Sequence, residues 1–548
     1  MKKIYIPLII TLGLFNSCTT PIIQFQDNVT KQICVANWDT NNDGEIQLTE
    51  AGTVSKLGKV FQATDITYFE ELQYFTNLNE IGVEDFKDCS KLKFITIPNR
   101  VSKIGQRAFY GCTSLQSINI PINVQTIEER AFYYCTGALT IDSNIIGKDF
   151  ERETSPFYGA NFTTVHIGNQ ISRIGDYAFT YCTRISNISF PNSVKSIGLA
   201  AFANCWSLKS IIIPENVMEI ESWTFSNCRS LESVTIPNNI NKIRSNAFEG
   251  CSSLTNVTIP DSVKEVGWEA FKNCSKLTTV VWGNNISNIG DEAFCGCIKL
   301  SNITMPQNVR WFGKDIFKDC TALPVDKDVR YADTYVVGAV NKNKESYEIK
   351  EGSRIIGNKA FMDCKNLKNI SLPESVTTID NEAFKGCSSL KLTYIHENIT
   401  SIGLDAFYEC TGELVIDSKL VESDHELREV YEGRYFCYYK SSNYWLDGAN
   451  FSKITIGDNI QKLGNNIFYG RRELKAITIP KGILSIGEGA LDNCDKLTHV
   501  YCKAEFPPMT NNLDLKRLCV IHVPKQSIAD YKSIPQWGEY KIVPYENK

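Results

Sequence analysis

Residues 115–135 read LQSINIPINVQTIEERAFYYC, and close copies of this stretch recur along most of the 548-residue chain. The motif A-F-x-x-C puts a phenylalanine at the same point of each copy, and the step within each block of copies is 23 residues. A fixed period of this length is typical of a solenoid, in which stacked coils bury apolar residues that one coil alone leaves exposed. The repeated phenylalanines are Phe86, Phe109, Phe132, Phe179, Phe202, Phe225, Phe248, Phe271, Phe294, Phe317, Phe361, Phe384, Phe407 and Phe468.

Each copy contains a predicted strand, a turn and a corner. The segment L-x-S-I-x-I-P alternates apolar and polar residues as a strand does, and nine of the 18 prolines share the position that ends it. Proline donates no backbone hydrogen bond, so it stops the strand at the same height in every coil. The V-x-x-I-G segment then turns the chain, and A-F-x-x-C is interpreted as a helical or 3₁₀ corner.

Three gaps interrupt the series of phenylalanines. The gaps after Phe132 and Phe317 are each close to two periods, so we expect one degenerate coil in each. The gap after Phe407 is two periods plus 15 residues, which places an insertion within residues 417–450.

The cysteines follow the same register. Fourteen of the 20 occupy the last position of A-F-x-x-C, where Arg471 stands in one coil. Equivalent side chains of stacked coils run parallel, whereas a disulfide needs two Cβ atoms that face each other. We therefore predict a ladder of small buried thiols rather than of disulfides. Cys502 and Cys519, near the C terminus, are the best candidates for a disulfide if one exists.

Residues 39–50, DTNNDGEIQLTE, match the calcium-loop pattern D-x-[DN]-x-[DN]-G-x5-E at every fixed position. Gly44 permits the sharp turn, Gln47 is expected to act through a water, and hard oxygen ligands favour Ca²⁺ over a transition metal. Because regulatory loops of this EF-hand type usually work in pairs, we expect one structural calcium ion that joins the short helices around it. The predicted ligands are Asp39, Asn41, Asp43, Glu45 through its carbonyl, and Glu50.

The first residues, MKKIYIPLIITLGLFNSC, place two lysines before a short apolar run that ends at Cys18. The run is too short for a permanent membrane span and is typical of a targeting signal. It resembles the lipobox of bacterial lipoproteins, which implies cleavage before Cys18 and acylation of that cysteine. An ordinary secretory signal is the alternative. We expect an extracytoplasmic protein anchored by lipid in the outer membrane of a Gram-negative bacterium, at the cell surface or facing the periplasm.

The pattern L-x-x-I-x-I-P-x-x-V-x-x-I-G-x-x-A-F-x-x-C resembles the BspA-like leucine-rich repeat over roughly residues 80–500. The resemblance implies a leucine-rich-repeat solenoid, a right-handed array of 23-residue coils that is mainly β with short helical or 3₁₀ corners. A small helical EF-hand-like cap is expected before it and a small α+β cap after it. The expected segments are a signal peptide at 1–17, a lipid-anchored linker at 18–28, the N-terminal cap at 29–80, the solenoid at 81–497 and the C-terminal cap at 498–548.

Composition and motifs favour a binding protein over an enzyme. The formal charge is −5 without a basic block, which argues against nucleic acid as a partner. The five histidines form no H-E-x-x-H motif, and the chain has neither a G-x-S-x-G motif nor a phosphate-binding glycine loop.

The family resemblance implies a cell-surface protein, expected as a monomer, that adheres to a host or neighbouring-cell protein through an extended solenoid face. Carbohydrate capture and a purely structural spacer are the alternatives. The insertion is rich in aromatic side chains, which either stack on a ligand or cover the solenoid wall. The candidate ligand anchors there are Tyr435, Tyr439, Tyr444 and Trp445.

Overall fold

The computed structural model describes residues 20–432, 436–441 and 444–545, and for 427–432, 436–441 and 444 it describes the backbone alone. The chain forms two compact units, Met1–Asn239 and Ile240–Lys548, called unit 1 and unit 2 below. Both consist mainly of short parallel strands stacked coil upon coil. The predicted repeat solenoid is confirmed.

Unit 1 begins with the α-helices Asn28–Trp38 and Leu48–Ala51. Short 3₁₀ helices cover Glu70–Tyr74 and Asn144–Gly147. Its strands are Tyr68–Phe69, Glu80–Ile81, Phe94–Ile95, Lys103–Ile104, Ser117–Ile120, Thr126–Ile127, Thr136–Ile141, Asn161–Ile167, Arg173–Ile174, Asn187–Ser189, Ser196–Ile197, Ser210–Ile212, Glu219–Ile220 and Ser233–Thr235.

Unit 2 contains 3₁₀ helices at Lys419–Glu422, Tyr444–Leu446 and Lys525–Ser527, and α-helices at Ile528–Ser533 and Pro535–Gly538. Its strands are Lys242–Ile243, Asn256–Thr258, Glu265–Val266, Thr279–Val281, Asn288–Ile289, Asn302–Ile303, Trp311–Phe312, Val325–Asp326, Val329–Ala332, Tyr335–Ala339, Ser346–Glu348, Ile355–Ile356, Asn369–Ser371, Thr378–Ile379, Leu392–Ile395, Ser401–Ile402, Glu413–Ile416, Leu427–Glu432, Phe436–Ser441, Lys453–Ile456, Lys462–Leu463, Ala476–Ile479, Ser485–Ile486, His499–Cys502, Val520–Val523 and Lys541–Pro544.

Parallel pairing keeps equivalent residues of neighbouring coils in register. In unit 1, Ile118 lies beside Leu139, and Leu139 lies beside Val165. All three side chains are buried, whereas the residues that alternate with Ile118 along its strand are exposed. The alternation of the sequence therefore becomes one inner and one outer face.

Stacked phenylalanine rings form the centre of each unit. In unit 1 the ring of Phe109 lies 5.3 Å from those of Phe86 and Phe132, within 7° of parallel. In unit 2 Phe271 lies 5.3 Å from Phe248 and 5.2 Å from Phe294. These separations follow the spacing of hydrogen-bonded strands, about 4.8 Å.

The predicted cysteine ladder is buried, and it has a hydrogen-bonding role that its apolar character does not predict. The Cys135 thiol donates to the carbonyl of Phe109 in the preceding coil, with Sγ and O 3.0 Å apart. The same bond recurs in unit 2, for example from Cys297 to Phe271 at 3.2 Å. All eighteen cysteines whose side chains the structure describes are free thiols, including Cys502 and Cys519.

The A-F-x-x-C corner consists of consecutive turns, so its prediction as a 3₁₀ helix is wrong. In the coil of Phe202, Ala200 and Asn204 have φ of 52° and 63°. A left-handed residue on either side of the phenylalanine interrupts any right-handed helix, because every residue of such a helix needs a negative φ.

The first degenerate coil is present where the gap after Phe132 predicts it. Phe157 stacks between Phe132 and Phe179, at 5.5 Å and 5.2 Å. The second, after Phe317, is rebuilt as antiparallel strands within Val325–Ala339. Tyr335 packs edge-on against Phe317 there, so the phenylalanine stack is replaced rather than continued.

The stacking extends beyond the predicted solenoid limits of 81 and 497. Phe61 stacks on Phe86 at 5.4 Å and accepts a hydrogen bond from Cys89, so a coil precedes residue 81. Thr64 stands where the motif has cysteine, which hid this coil in the sequence. At the other end, strands Val520–Val523 and Lys541–Pro544 continue the parallel sheet.

The insertion forms an antiparallel hairpin of strands Leu427–Glu432 and Phe436–Ser441. The segment that follows it is held by Arg471, which replaces a ladder cysteine. The buried Arg471 guanidinium lies 3.4 Å from the Asp447 carboxylate and also donates to the Leu446 carbonyl. The arginine that replaces cysteine at this position therefore fixes the end of the insertion to the core.

We predict that Arg471→Ala lowers the free energy of unfolding by about 3 kcal/mol, because it removes the counter-charge of a carboxylate that is 1% exposed. Urea unfolding measures this. The control is Lys453→Ala, which breaks the exposed Lys453–Glu413 pair and should cost less than about 1 kcal/mol. Equal losses in the two variants would show that Arg471 is not an anchor.

We also predict that stability falls in alkali because of the thiol ladder. Burial raises the pKa of Cys228 from 9.0 to about 12. Unfolded thiols ionise near pH 9 while folded ones stay neutral, so this contribution is complete below pH 9 and is lost between about pH 9 and pH 12. Urea unfolding across that range measures the loss, and Cys228→Ala should reduce its steepness. Rapid alkylation of the native ladder thiols at pH 9 would contradict burial.

Candidate functional site

The calcium-loop sequence forms a compact turn between the two N-terminal helices of unit 1. The Asp39 carboxylate accepts hydrogen bonds from the backbone N–H groups of Asn42 and Gly44, at 2.7 and 2.9 Å. The Asp43 carboxylate accepts one from Glu45 at 2.9 Å. Gly44 has a φ of 79°, as the sharp turn requires.

Glu50 closes the loop from the second helix and is 6% exposed. Its Oε1 accepts from the backbone N–H and hydroxyl of Thr40 at 2.8 Å, and its Oε2 accepts from the Gln47 N–H at 3.0 Å. Burial raises the pKa of Glu50, but the hydrogen bonds from Gln47 and Thr40 outweigh it and hold the pKa below its ordinary value. The carboxylate is therefore ionised at neutral pH.

The donor set of this loop fits calcium by chemistry, since carboxylate, amide and carbonyl oxygens are the ligands that Ca²⁺ prefers. Glu45 is expected to contribute only its carbonyl, and its side chain bonds instead to Lys31 at 2.6 Å. Within the described part of the chain, no three Asp, Glu, His or Cys side chains gather as a metal-holding group. Calcium binding at Asp39, Asn41, Asp43 and Glu50 stays a prediction.

The targeting segment and Cys18 lie outside the described residues. In the described ranges, no helix has the length and apolar character needed to cross a membrane.

The structure describes the side chain of only one of the four aromatic anchors predicted in the insertion. Tyr435 lies outside the described residues, as do the side chains of Tyr439 and Tyr444. Trp445 is 5% exposed and packs edge-on against Phe407 at 6.1 Å. A ring buried in the core cannot stack on a ligand, so its prediction as an anchor is wrong and Trp445 is structural cover.

The outer faces of the strands form a ribbon of small neutral side chains in unit 1. Ser210 lies beside Ser233, and Ile212 lies beside Thr235. Ile212 is 72% exposed, so this ribbon presents apolar surface to the solvent.

The strands of unit 2 from Asn256–Thr258 to Asn302–Ile303 form a ribbon of the same character. Asn256, Thr279 and Asn302 lie side by side on consecutive strands, and Val281 lies beside Thr258. Val281 is 49% exposed. Serine, threonine and asparagine offer donors and acceptors, and the exposed aliphatic groups offer apolar contact.

Sequence reasoning missed two features at the C-terminal end of unit 2. His499 Nδ1 and His522 Nε2 lie 3.0 Å apart on neighbouring strands, where the sequence showed only two histidines in strand patterns. A cavity of about 790 Å³ opens beside the ends of these strands. One sequence signal could have indicated the cavity. The residue after the strand-ending proline becomes a lysine in the last coils, at Lys481 and Lys525.

Comparisons with known proteins identify the repeat. A family model for the BspA type leucine rich repeat region matches in six copies, over residues 58–147, 151–278, 241–325, 340–421 and 440–513. A search of curated proteins found no match.

A search of solved structures also found matches. A leucine-rich repeat protein from Bacteroides ovatus ATCC 8483 is 20% identical, with 88% of each chain covered and a TM-score of 0.33. A leucine rich cell surface protein from Faecalibacterium prausnitzii A2-165 is 21% identical over 78% of this chain and 83% of that one, with a TM-score of 0.25. The leucine rich repeat protein of T. pallidum is 28% identical over 34% of this chain and 78% of that one, with a TM-score of 0.26.

The repeat model matches most of the chain, and the structure shows the stacked A-F-x-x-C coils of such a repeat. This chain belongs to the BspA-type leucine-rich-repeat family.

Proposed function

We propose that this protein is an extracytoplasmic binding protein that recognises a host or neighbouring-cell protein through the outer faces of its strands. The observation that carries the proposal is the pair of neutral ribbons with exposed aliphatic residues, Ile212 in unit 1 and Val281 in unit 2. Repeat solenoids commonly use such extended surfaces for recognition.

The chemistry of the ribbons supports a protein partner. Their side chains are mostly short, so little rotamer entropy is lost when they are immobilised in an interface. They carry few charges, and the cores of protein interfaces are depleted of charge as well. The stacked backbone beneath them holds each side chain in place before the partner arrives.

The proposed role is binding rather than catalysis. The sequence contains no nucleophile or metalloprotease motif, and the described histidines that come together, His499 and His522, bond to each other on a sheet surface. Affinity then comes from contact area and a few apolar anchors.

We predict that Ile212→Lys and Val281→Lys each weaken binding of the partner by about tenfold, because a charge replaces apolar contact in the interface. The partner is first sought by a binding screen of the purified full chain against extracellular-matrix proteins, beside a glycan array. Surface plasmon resonance then compares the variants. The controls are Ile122→Lys and Ile298→Lys, which change residues that are 55% and 48% exposed but lie outside the strands that form the ribbons.

The controls should bind as the wild type does. If they lose as much affinity as the ribbon variants, or if the ribbon variants bind normally, the ribbons are not the binding surface.

We further propose that acylation of Cys18 anchors the protein to the outer membrane, with the solenoid displayed outside the cytoplasm. Metabolic labelling with a fatty-acid analogue should mark the wild type and miss Cys18→Ser. Equal labelling of both proteins would contradict the anchor.

We propose that the N-terminal loop binds one calcium ion, with a dissociation constant of about 0.1–1 mM, the range of extracellular modules. Glu50→Gln should weaken binding at least about tenfold, because it removes the charge of the closing ligand. Glu45→Gln is the matched control, since that side chain faces Lys31 and should not alter the affinity. Calorimetric titration measures both.

A second readout locates the effect of calcium. Chelation should increase hydrogen exchange at residues 29–62 and leave the distant coils unchanged, because solenoid stability is nearly a sum of neighbour terms. A uniform response along the chain, or none at residues 29–62, would contradict the proposal.

A further inference from the structure

The cavity of about 790 Å³ in unit 2 has an unusual lining for an acidic protein. Apolar surface comes from Leu484, Phe506 and the ring of Tyr545. Three lysines surround it, and Glu505 is the one acidic residue among those that line it. The lysines are Lys481, Lys503 and Lys525.

The register of the sheet brings the three lysines together. Ile479 pairs with Cys502, and Val523 pairs with Pro544, so the parallel strands end at one level. Lys503 follows its strand directly, whereas Lys481 and Lys525 each follow a strand-ending proline. Neighbouring strands are about 4.8 Å apart, so the three lysines follow one another along the carboxyl ends of the strands, beside the cavity that they line.

The position after the strand-ending proline changes character at this point of the chain. In the earlier coils it carries amide, acidic or apolar residues and no lysine or arginine. Only the last coils have lysine there. These earlier residues are Asn99, Ile122, Asn192, Glu215, Asn238, Asp261, Gln307 and Glu374.

These lysines also lack the partners that other lysines of unit 2 have. Lys462 pairs with Asp424 at 2.9 Å, and Lys496 pairs with Glu473 at 2.7 Å. Across the described ranges, no ion pair involves the lysines of the cavity. Their charge is therefore available to an anion.

The apolar surface of the cavity is open to solvent. Phe506 is 75% exposed and Leu484 is 61% exposed. Tyr545 borders this cavity and a second one of about 680 Å³, which Tyr501 and His522 also line. The Tyr545 ring stands nearly perpendicular to that of Tyr501, with centroids 6.0 Å apart.

We propose that this cavity binds an acidic oligosaccharide, one that carries carboxylate or sulfate groups. The lysines would pair with the anionic groups, while Phe506 and Tyr545 would contact the apolar faces of the sugar rings. The volume lies in the range of small-ligand sites, about 300–1,000 Å³, and suits a few sugar rings.

The strand ends favour a glycan over an acidic peptide. An extended peptide gains affinity by adding a strand along a free sheet edge. The strands that precede Lys481, Lys503 and Lys525 are each paired with a neighbour on both sides, so they leave no free backbone edge beside the cavity. The cavity therefore offers side chains rather than a backbone edge, which suits a glycan better than an extended peptide.

Calorimetric titration of the purified full chain tests the proposal with four probes of similar length. They are an oligogalacturonate, a heparin-derived oligosaccharide, a neutral cello-oligosaccharide and an oligoglutamate peptide. The two acidic sugars separate carboxylate from sulfate recognition. We expect at least one of them to bind at least about tenfold more tightly than both the neutral sugar and the peptide, with affinity that falls as salt rises.

Two variants link that binding to the cavity. The triple variant Lys481→Gln, Lys503→Gln, Lys525→Gln should lose about tenfold or more in affinity. Tyr545→Ala should also weaken binding, whereas Tyr545→Phe should bind as tightly as the wild type because it keeps the ring. The matched control changes Lys276, Lys299 and Lys318 to Gln, which removes the same charge elsewhere in unit 2.

Three results would overturn the proposal. The first is no preference for either acidic sugar over the neutral one. The second is equal or tighter binding of the oligoglutamate, which would make this a peptide site. The third is an equal loss in the cavity variant and the control variant, which would reduce the effect to net charge. None of these results depends on the ribbons, so they leave the proposed protein-binding function untouched.

Discussion

One carbonyl group in each coil sets the constraint on which the rest of the structure depends. The Phe109 carbonyl accepts the N–H of Cys112 in its own coil at 3.2 Å and the thiol of Cys135 in the next coil at 3.0 Å. The bond from the thiol forms only if consecutive coils superimpose, and the same superposition stacks the phenylalanine rings. The residue at the cysteine position must therefore be small enough to be buried and still able to donate a hydrogen bond.

Departures from this arrangement mark the places where the chain carries additional structure. Arg471 replaces a ladder cysteine beside the insertion and pairs with Asp447. The coils that follow Cys135 and Cys410 are both longer than the 23-residue repeat, and they share a local structure. Ser143 and Ser418 each cap a 3₁₀ helix and donate to a carbonyl of the preceding coil. Residues 136–143 and 411–418 have the matching sequences TGALTIDS and TGELVIDS. The coil that carries the insertion is thus a second copy of the coil that follows Cys135, extended by a hairpin.

Sequence periodicity predicted the coils well because inward and outward positions repeat with the strand. It placed the buried Phe109, the turn after Pro121 and the degenerate coil that Phe157 completes. It missed the coil of Phe61, because Thr64 breaks the motif. It misjudged the corners because left-handed residues such as Ala200 carry no sequence mark that separates a turn from a 3₁₀ helix.

The candidate sites were less accessible to sequence reasoning. The calcium-loop pattern of residues 39–50 is local, so its candidate ligands can be predicted from the sequence alone. Composition does not show which side of a coil a ring faces, so the sequence could not reveal that Trp445 is buried. The cavity of unit 2 depends on lysines from separate strands, and only the pairing of those strands brings Lys481 and Lys525 to one edge.

The claim that each coil is held mainly by its two neighbours is tested most directly by hydrogen exchange on Phe271→Ala. Removing that ring should cost about 3–5 kcal/mol, which is typical for a buried phenylalanine. Protection should fall from Phe248 to Phe294, the residues whose rings contact Phe271, and stay unchanged beyond about residue 340. Loss of protection spread evenly over unit 2, or no loss at all, would contradict the account.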